Sequence, residues 1–308
     1  MKLTTNVALR FFSLFARANL LVGMLSMSQG VALASEERLS PYEIIDKADA
    51  SAWRRIDNEN TLYIEFIQGR VVIELAPTFA PNHVKNTKAL AREGFYDGLS
   101  IYRLVDGFVA QGGAQNTHKE IRNAKRTLVS ERFRKGGKDI GFTALGDFDG
   151  YAAQTGFVDS FAAARNEAGS ESWLVHCPGA FAMARGDDPD SGGTEFNIIL
   201  GHAPRYLDRN VTVFGRVVDG MDVLQKLNRG KSSYGTIEPE RHNPILSMKV
   251  AADLPTKEQI PIEVMKTDSK AFRQLIASRR NRPESWFIET PNYIDVCGIK
   301  IPTRTIKQ

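Results

Sequence analysis

Cysteine is scarce in this chain: Cys177 and Cys297 are the two in 308 residues. A dense disulfide framework is therefore excluded, and so is a zinc site built on cysteine clusters. The five histidines show no ligand spacing with one another or with the cysteines, so no metal is expected. A Gly-x-Ser-x-Gly elbow is missing, and so is a glycine-rich phosphate loop ahead of a helix. The sequence thus offers neither an acyl-transfer nucleophile nor a nucleotide cradle. Beyond residue 34 there is no apolar run of membrane-spanning length, no internal repeat and no low-complexity block. Asp147 and Asp149, like Asp187, Asp188 and Asp190, stand beside glycine or proline, the setting of solvated turns rather than of a cation site.

What is present is a globular composition, 42% hydrophobic, 25% charged and 9% aromatic. A chain of this length can bury a core without staples. The net charge of +4 owes much to the N-terminus, because residues 1–34 hold Lys2, Arg10 and Arg17 and no acid. Taking those three from forty basic residues leaves 37 against 36 acidic ones, close to +1. The charge is no argument for nucleic-acid binding, and none is expected. Arg279, Arg280 and Arg282 read as a solvated helix end.

The leader has basic residues first, then an apolar stretch from Ala18 to Leu25, then Ala32-Leu33-Ala34. That order describes a secretory signal peptide cut after Ala34, which implies a periplasmic protein with no membrane span once cleaved. In an oxidising compartment the two cysteines can pair, tying the C-terminal tail to the main domain, or remain buried thiols; the sequence leaves both open.

Ser40-Pro41-Tyr42-Glu43 is a capping box with proline at the first helical position, and a helix is expected from there to about Arg55. Leu62, Ile64 and Phe66, then Val71, Ile73 and Leu75, alternate around Gln68-Gly69, which predicts a β-hairpin. Pro81 opens a helix with Val84, Thr87, Leu90 and Ala91 at helical spacing, and Gly94 stands where its C-cap belongs. Further strands are expected at 99–105, 108–111, 181–185, 196–200, 211–217 and 245–250, with a strand-like piece at 127–129 and a helix over 220–227. Many short strands with two amphipathic helices predict a closed antiparallel barrel capped by helices. In the tail, Ser269 caps a helix with Phe272, Leu275 and Ile276 inward, and Trp286, Phe287, Ile294 and Val296 are expected to pack on the barrel.

The segment Ile101-Tyr102-Arg103-Leu104-Val105-Asp106-Gly107-Phe108-Val109-Ala110-Gln111-Gly112-Gly113 carries an arginine, a Gly-Phe pair and Gln-Gly-Gly. It resembles the most recognisable segment of the cyclophilins. Ala80-Pro81 through Asn86 to Gly94-Phe95-Tyr96, then Phe181-Ala182-Met183-Ala184-Arg185, then Gly192-Gly193-Thr194-Glu195-Phe196, then Leu207-Asp208 with Thr212 to Val217 follow the family's pattern in its order. The resemblance covers residues 61–250.

It implies a mainly β fold, a closed antiparallel eight-stranded barrel capped by two helices, with an N-terminal helix and a C-terminal extension added. The expected division is a signal peptide at 1–34, an N-terminal helical segment at 35–58, a cyclophilin-like domain at 59–253 with a long insertion at about 114–178, and a C-terminal extension at 254–308. It further implies a peptidyl-prolyl cis-trans isomerase that needs no cofactor. The expected partners are proline-containing peptides and unfolded or folding exported proteins, met by a monomer.

By the same resemblance the catalytic residues are Arg103, Phe108 and Gln111. Val109, Ala184, Arg185, Glu195, Asn197, Tyr206 and Leu207 would hold substrate. The chain departs from the family at Glu195, where a glutamine is common and where the carboxylate is in a position to pair with Arg103. Asn197 stands in place of an aromatic, Tyr206 in place of a tryptophan and Val211 in place of a histidine. These departures keep a second reading open, a low-activity binding module or chaperone for proline-containing segments. A third is a scaffold whose barrel is inactive.

Overall fold

The computed structural model describes residues 38–114, 118–136 and 140–306. The leader, with its expected cleavage point, lies outside them. In chain order the elements are α1 (Pro41–Asp46), β1 (Trp53–Arg55), β2 (Thr61–Phe66), β3 (Gly69–Leu75), α2 (Pro81–Arg92), β4 (Ser100–Val105), β5 (Val109–Gly113), β6 (Arg134–Lys135), β7 (Thr143–Ala144), β8 (Gln154–Val158), β9 (Phe161–Arg165) and β10 (Glu171–Leu174). They continue with β11 (Ala180–Met183), β12 (Glu195–Ile199), β13 (Val213–Asp219), α3 (Met221–Gln225), β14 (Asn243–Pro244), β15 (Ser247–Val250), β16 (Ile262–Met265), α4 (Lys270–Arg280) and β17 (Thr303–Thr305).

The main sheet is antiparallel and curled, in the order β14-β4-β5-β12-β11-β13-β3-β2-β15. It counts nine strands rather than the eight expected. The difference is a break: β14 and β15 are successive parts of one run, and between them Ile245 N–H bonds Leu99 O while Leu246 N–H bonds Glu65 O. The run thereby crosses from one end of the sheet to the other. Period-2 alternation sends Leu62, Ile64, Val71, Ile73, Leu75, Phe181, Phe196, Ile198 and Phe214 inward, where they form the largest core with Leu90, Phe95 and Tyr96. Each such side chain contributes roughly 1.5–3 kcal/mol by leaving water.

The first helix is shorter than its capping box suggests. Ser40 and Glu43 do form the box, but α1 stops at Asp46. The chain then turns so that Trp53 to Arg55 can pair with β16, and strand pairing overrides the helical pattern. The expected strand at 127–129 does not form.

The insertion builds a five-stranded sheet, in the order β6-β10-β9-β8-β7. One of its faces (Val158, Phe161, Ala163, Leu174) packs on the outer face of the main sheet, against Val109, Ala180, Ala182, Ile199 and Val213. The other face (Phe157, Ala164, Trp173) packs on Phe272, Leu275 and Ile276 of α4, with the Phe157 and Phe272 rings edge-on at 5.0 Å. The tail therefore rests largely on the insertion, not on the barrel. Ile294 and Val296 join that layer, whereas Trp286 is 82% exposed. Cys177, at the end of the insertion, is bonded to Cys297 in the tail. Among the described residues no helix is long and apolar enough to cross a membrane.

Candidate active site

β4 and β5 pair in regular register from Leu104↔Ala110 to Val105↔Val109, then slip by one residue between Ile101 and Arg103. The bulge leaves Tyr102 and Arg103 together opposite Gln111. Neighbours that would point to opposite faces of a regular strand both reach the same glutamine. Arg103 Nη1 donates to Gln111 Oε1 at 3.1 Å, and Gln111 Nε2 donates to the Tyr102 hydroxyl at 2.8 Å. That hydroxyl donates in turn to Glu195 Oε2.

The glycines after Gln111 make the close approach feasible. A Cβ on Gly112 would lie 2.6 Å from Ile101 Cδ1, and one on Gly113 would lie 2.5 Å from Thr194 O and 2.8 Å from Glu195 Cα. Gly113 also has a φ of +127°, which disfavours other residues. Arg103 is held a second time, since its Nε donates to Tyr234 O at 2.8 Å. Among the described residues its Nη2 forms no hydrogen bond. Burial pushes the Tyr102 phenol well above the ordinary tyrosine range, and the Glu195 carboxylate beside it adds to the shift. The hydroxyl therefore stays a donor throughout the working range of a protein.

Asn197 lies opposite Gln111 on one side and Ala182 on the other, so it shares the outer face with them. Its Oδ1 is buried without a hydrogen-bond partner. Phe108 is half-buried at the turn between β4 and β5, where its N–H bonds Val105 O and its carbonyl accepts from Leu200 N–H. Val109 is on the same face but only 2% exposed, within the apolar layer that Ile140, Val158 and Phe161 form over the sheet. Phe108 and Val211 border that layer, as does Phe142 of the insertion.

Leu207 ends a short 3-10 turn, Arg205–Leu207, which a buried ion group fixes. Arg205 bonds Asp149 through two nitrogens at 2.7 and 2.9 Å and Asp208 at 2.7 Å. Asp208 accepts from the His176 N–H at 3.0 Å and sits 2.9 Å from its Nδ1. Asp149 and His176 belong to the insertion, so the insertion sets where this turn stands. Burial pushes the Asp149 carboxyl up, but Arg205 and the N–H groups of Tyr151 and Ala152 outweigh it and leave the group below its ordinary range.

The structure thus brings Arg103, Gln111, Glu195 and Asn197 onto one patch. It places the other residues differently. The Ala184 N–H is engaged by Glu195 O, and the Arg185 guanidinium is turned to Asn210 O and Gly186 O. Tyr206 is 61% exposed. Glu195, a candidate partner for Arg103, bonds Tyr102 instead, because the bulge puts the phenol nearer. Tyr102 and Tyr234 were not singled out from sequence. A carboxylate in the place of an amide was the one signal that a donor should stand near Glu195. Asp147, weighed for cations, pairs with Arg280. Among the described residues there is no group of three His, Cys, Asp or Glu side chains that could hold a metal.

A curled antiparallel sheet that carries a fixed guanidinium on its outer face, with a half-buried phenylalanine at the turn of the same hairpin, fits a cyclophilin-like β protein. Comparison with known proteins agrees. Residues 61–250 match the family described as cyclophilin type peptidyl-prolyl cis-trans isomerase/CLD. The chain is 30% identical over 202 residues to a probable peptidyl-prolyl cis-trans isomerase of Brucella suis, covering 65% of this chain and 86% of that one. It is 29% identical over 162 residues to peptidyl-prolyl cis-trans isomerase B of Bacillus subtilis, covering 52% and 85%. Among solved structures it is similar to cyclophilin AquaCyp293 from Hirschia baltica, with a TM-score of 0.68, 30% identity, and coverage of 82% of this chain and 93% of that one. The chain belongs to the cyclophilin-type peptidyl-prolyl cis-trans isomerase family.

Proposed function

We propose that this protein accelerates cis-trans isomerisation of X-Pro bonds in exported proteins, with Arg103 as the catalytic residue. Rotation about an X-Pro bond meets a barrier of about 18–20 kcal/mol because it breaks amide resonance. In the twisted state the prolyl nitrogen has a localised lone pair that accepts a hydrogen bond. The observation that carries the reading is the guanidinium of Arg103, tied at Nε and Nη1 and with Nη2 left to donate. A donor held in advance contributes about 3–4 kcal/mol, a hundred- to a thousandfold in rate. Phe108 and Leu207 supply apolar surface for the proline ring, and Gln111 keeps the guanidinium in place. No metal or cofactor enters this chemistry.

The substrates are proline-containing segments of unfolded or folding proteins, whose folding slow X-Pro bonds delay. The leader supports export: a signal peptide cut after Ala34 would release the chain, as a monomer, into the periplasm. A second reading is favoured by one observation. Asn197 presents a buried oxygen without a partner where a ring-binding surface is wanted, and Val109 is covered. A site of that kind suits holding a proline-containing segment more than turning it over.

A protease-free isomerisation assay on a short X-Pro peptide, with the chain from Ser35 and its Arg103→Ala variant, separates the two. The enzyme is expected to raise the rate, and the variant to lose a hundredfold or more while keeping its circular dichroism. A folded wild-type protein that binds the peptide without raising the rate would overturn the isomerase reading in favour of the binding module.

A further inference from the structure

We infer that Tyr102 and Glu195 are positioning residues for this reaction: the Glu195 carboxylate, through the Tyr102 hydroxyl, sets the orientation of the Gln111 amide and so locks the guanidinium of Arg103. The inference rests on the reading of Arg103 given above.

The argument is one of donor and acceptor counting. An amide side chain is symmetric in shape, and nothing in its size decides which end faces an arginine. Gln111 helps only with Oε1 toward Arg103; reversed, it would present two N–H donors to a group that is itself a donor. A carboxylate can only accept. Glu195 therefore takes the single proton of the Tyr102 hydroxyl and leaves that oxygen with lone pairs alone to offer. The Gln111 NH2 group occupies one at 2.8 Å, which leaves Oε1 for Arg103 Nη1 at 3.1 Å. All three hydrogen bonds run one way, from the cation through two neutral groups to the anion. Each polarises the next in a partly buried site.

The local backbone is shaped to the same end. The bulge in β4 puts Tyr102 and Arg103 opposite Gln111 together, and Gly113 leaves room for the Glu195 side chain, whose Cγ would lie 3.1 Å from a Cβ at that position. The phenol stays protonated because burial and the adjacent carboxylate both oppose its ionisation. The remaining anchor, Tyr234 O on Nε, holds Arg103 along one edge and leaves the guanidinium able to rock unless Nη1 is also tied.

The test uses the chain from Ser35 with Tyr102→Phe, Glu195→Ala, and the two combined. The rate on an X-Pro peptide is resolved into kcat and KM. Each single variant is expected to lose about tenfold in kcat with KM within twofold of wild type. The double variant should lose no more than either single, because residues in one chain of bonds act as a unit. In parallel, with 15N-labelled arginine, the Nη resonances of Arg103 (assigned with Arg103→Lys) should be resolved in wild type and averaged in all three variants. Thermal melting of the variants guards against misfolding. Should Tyr102→Phe fail to fold, Glu195→Gln takes its place, with a smaller loss in kcat and partial averaging. Wild-type kcat with resolved Nη signals in either single variant would overturn the inference. So would a loss confined to KM, or losses that add. If the wild-type protein proves not to be an isomerase, the resonances still decide whether the relay locks the arginine.

Discussion

Asn197 is the residue whose chemistry and location disagree most. A carbonyl oxygen buried without a partner weakens the fold by about 1–3 kcal/mol relative to a satisfied or apolar one. Asn197→Val keeps a strand-forming shape and removes the unmet group. It is expected to raise the melting temperature by several degrees, since about 1 kcal/mol corresponds to roughly 2–4 °C for a chain of this size. Calorimetry on both proteins checks this. Unchanged or lowered melting would mean that the oxygen is satisfied by bound water. On the isomerase reading the same variant should also lower KM for X-Pro peptides. At this scale Arg103 and Gln111 were legible because they sit at fixed spacing from Gly-Phe and Gly-Gly. The partnership of Tyr102 with Glu195 was not. It depends on a one-residue slip in the β4–β5 register, whose trace is the three-residue step between inward Ile101 and Leu104, and that step names no partner for Tyr102.

Elements were most legible where the pattern was local. The β2–β3 hairpin, α2 with Gly94 beyond its end, and α4 with Ser269 accepting from the Phe272 N–H all follow from a few adjacent residues. The insertion was visible only as extra length. Its strands β8 to β10 are short, only β9 being rich in alanine, and their burial comes from two partners distant in sequence. Its firmest tie to the site is the buried group of Asp149, Arg205, Asp208 and His176.

This group has an acid limit. The Asp149 carboxyl is held below its unfolded value of about 4, so its contribution is fully present above that pH and disappears as pH falls through the lower, folded value. Wild-type protein is therefore expected to lose stability on acidification below about pH 4 with a steeper slope than Asp149→Asn. Breaking a buried pair typically removes about 3–5 kcal/mol, so the variant should start lower at neutral pH. Urea titrations between pH 3 and 7 read both. Parallel slopes would show that Asp149 titrates alike in the folded and unfolded chains. The variant should also release the turn that carries Leu207, raising KM more than it lowers kcat on the isomerase reading.

The described residues are layered: the curled main sheet, the insertion sheet on its outer face, and the tail with α1 largely on the insertion, while β16 covers Tyr63 and Val72 of the main sheet. The family resemblance predicted the first layer and most of its connections. It was silent on the other two, because the residues that join them read equally well as barrel core. Phe272, Leu275 and Ile276 show only that α4 has one apolar face, not what that face meets. The layering has a consequence for where the working domain ends. A chain cut after Asp253 keeps all that the family pattern covers, yet it strips the cover from Phe157 and Trp173, removes β16 from Tyr63 and Val72, and deletes Cys297. Closing a loop of 120 residues by a disulfide is itself worth about 4–5 kcal/mol on chain-entropy grounds. The truncated chain is thus expected to melt far below the full one, or to aggregate through the bared sheet. Cys297→Ser in the full chain, with every apolar contact kept, should cost about 2–5 kcal/mol and still fold. Reducing agent should destabilise the wild type by the same amount and leave the serine variant unchanged. Denaturant titrations of the three proteins, with and without reductant, measure each part. A truncated chain as stable as the full one would show that the tail layer is a passenger and that the barrel with its insertion stands without it.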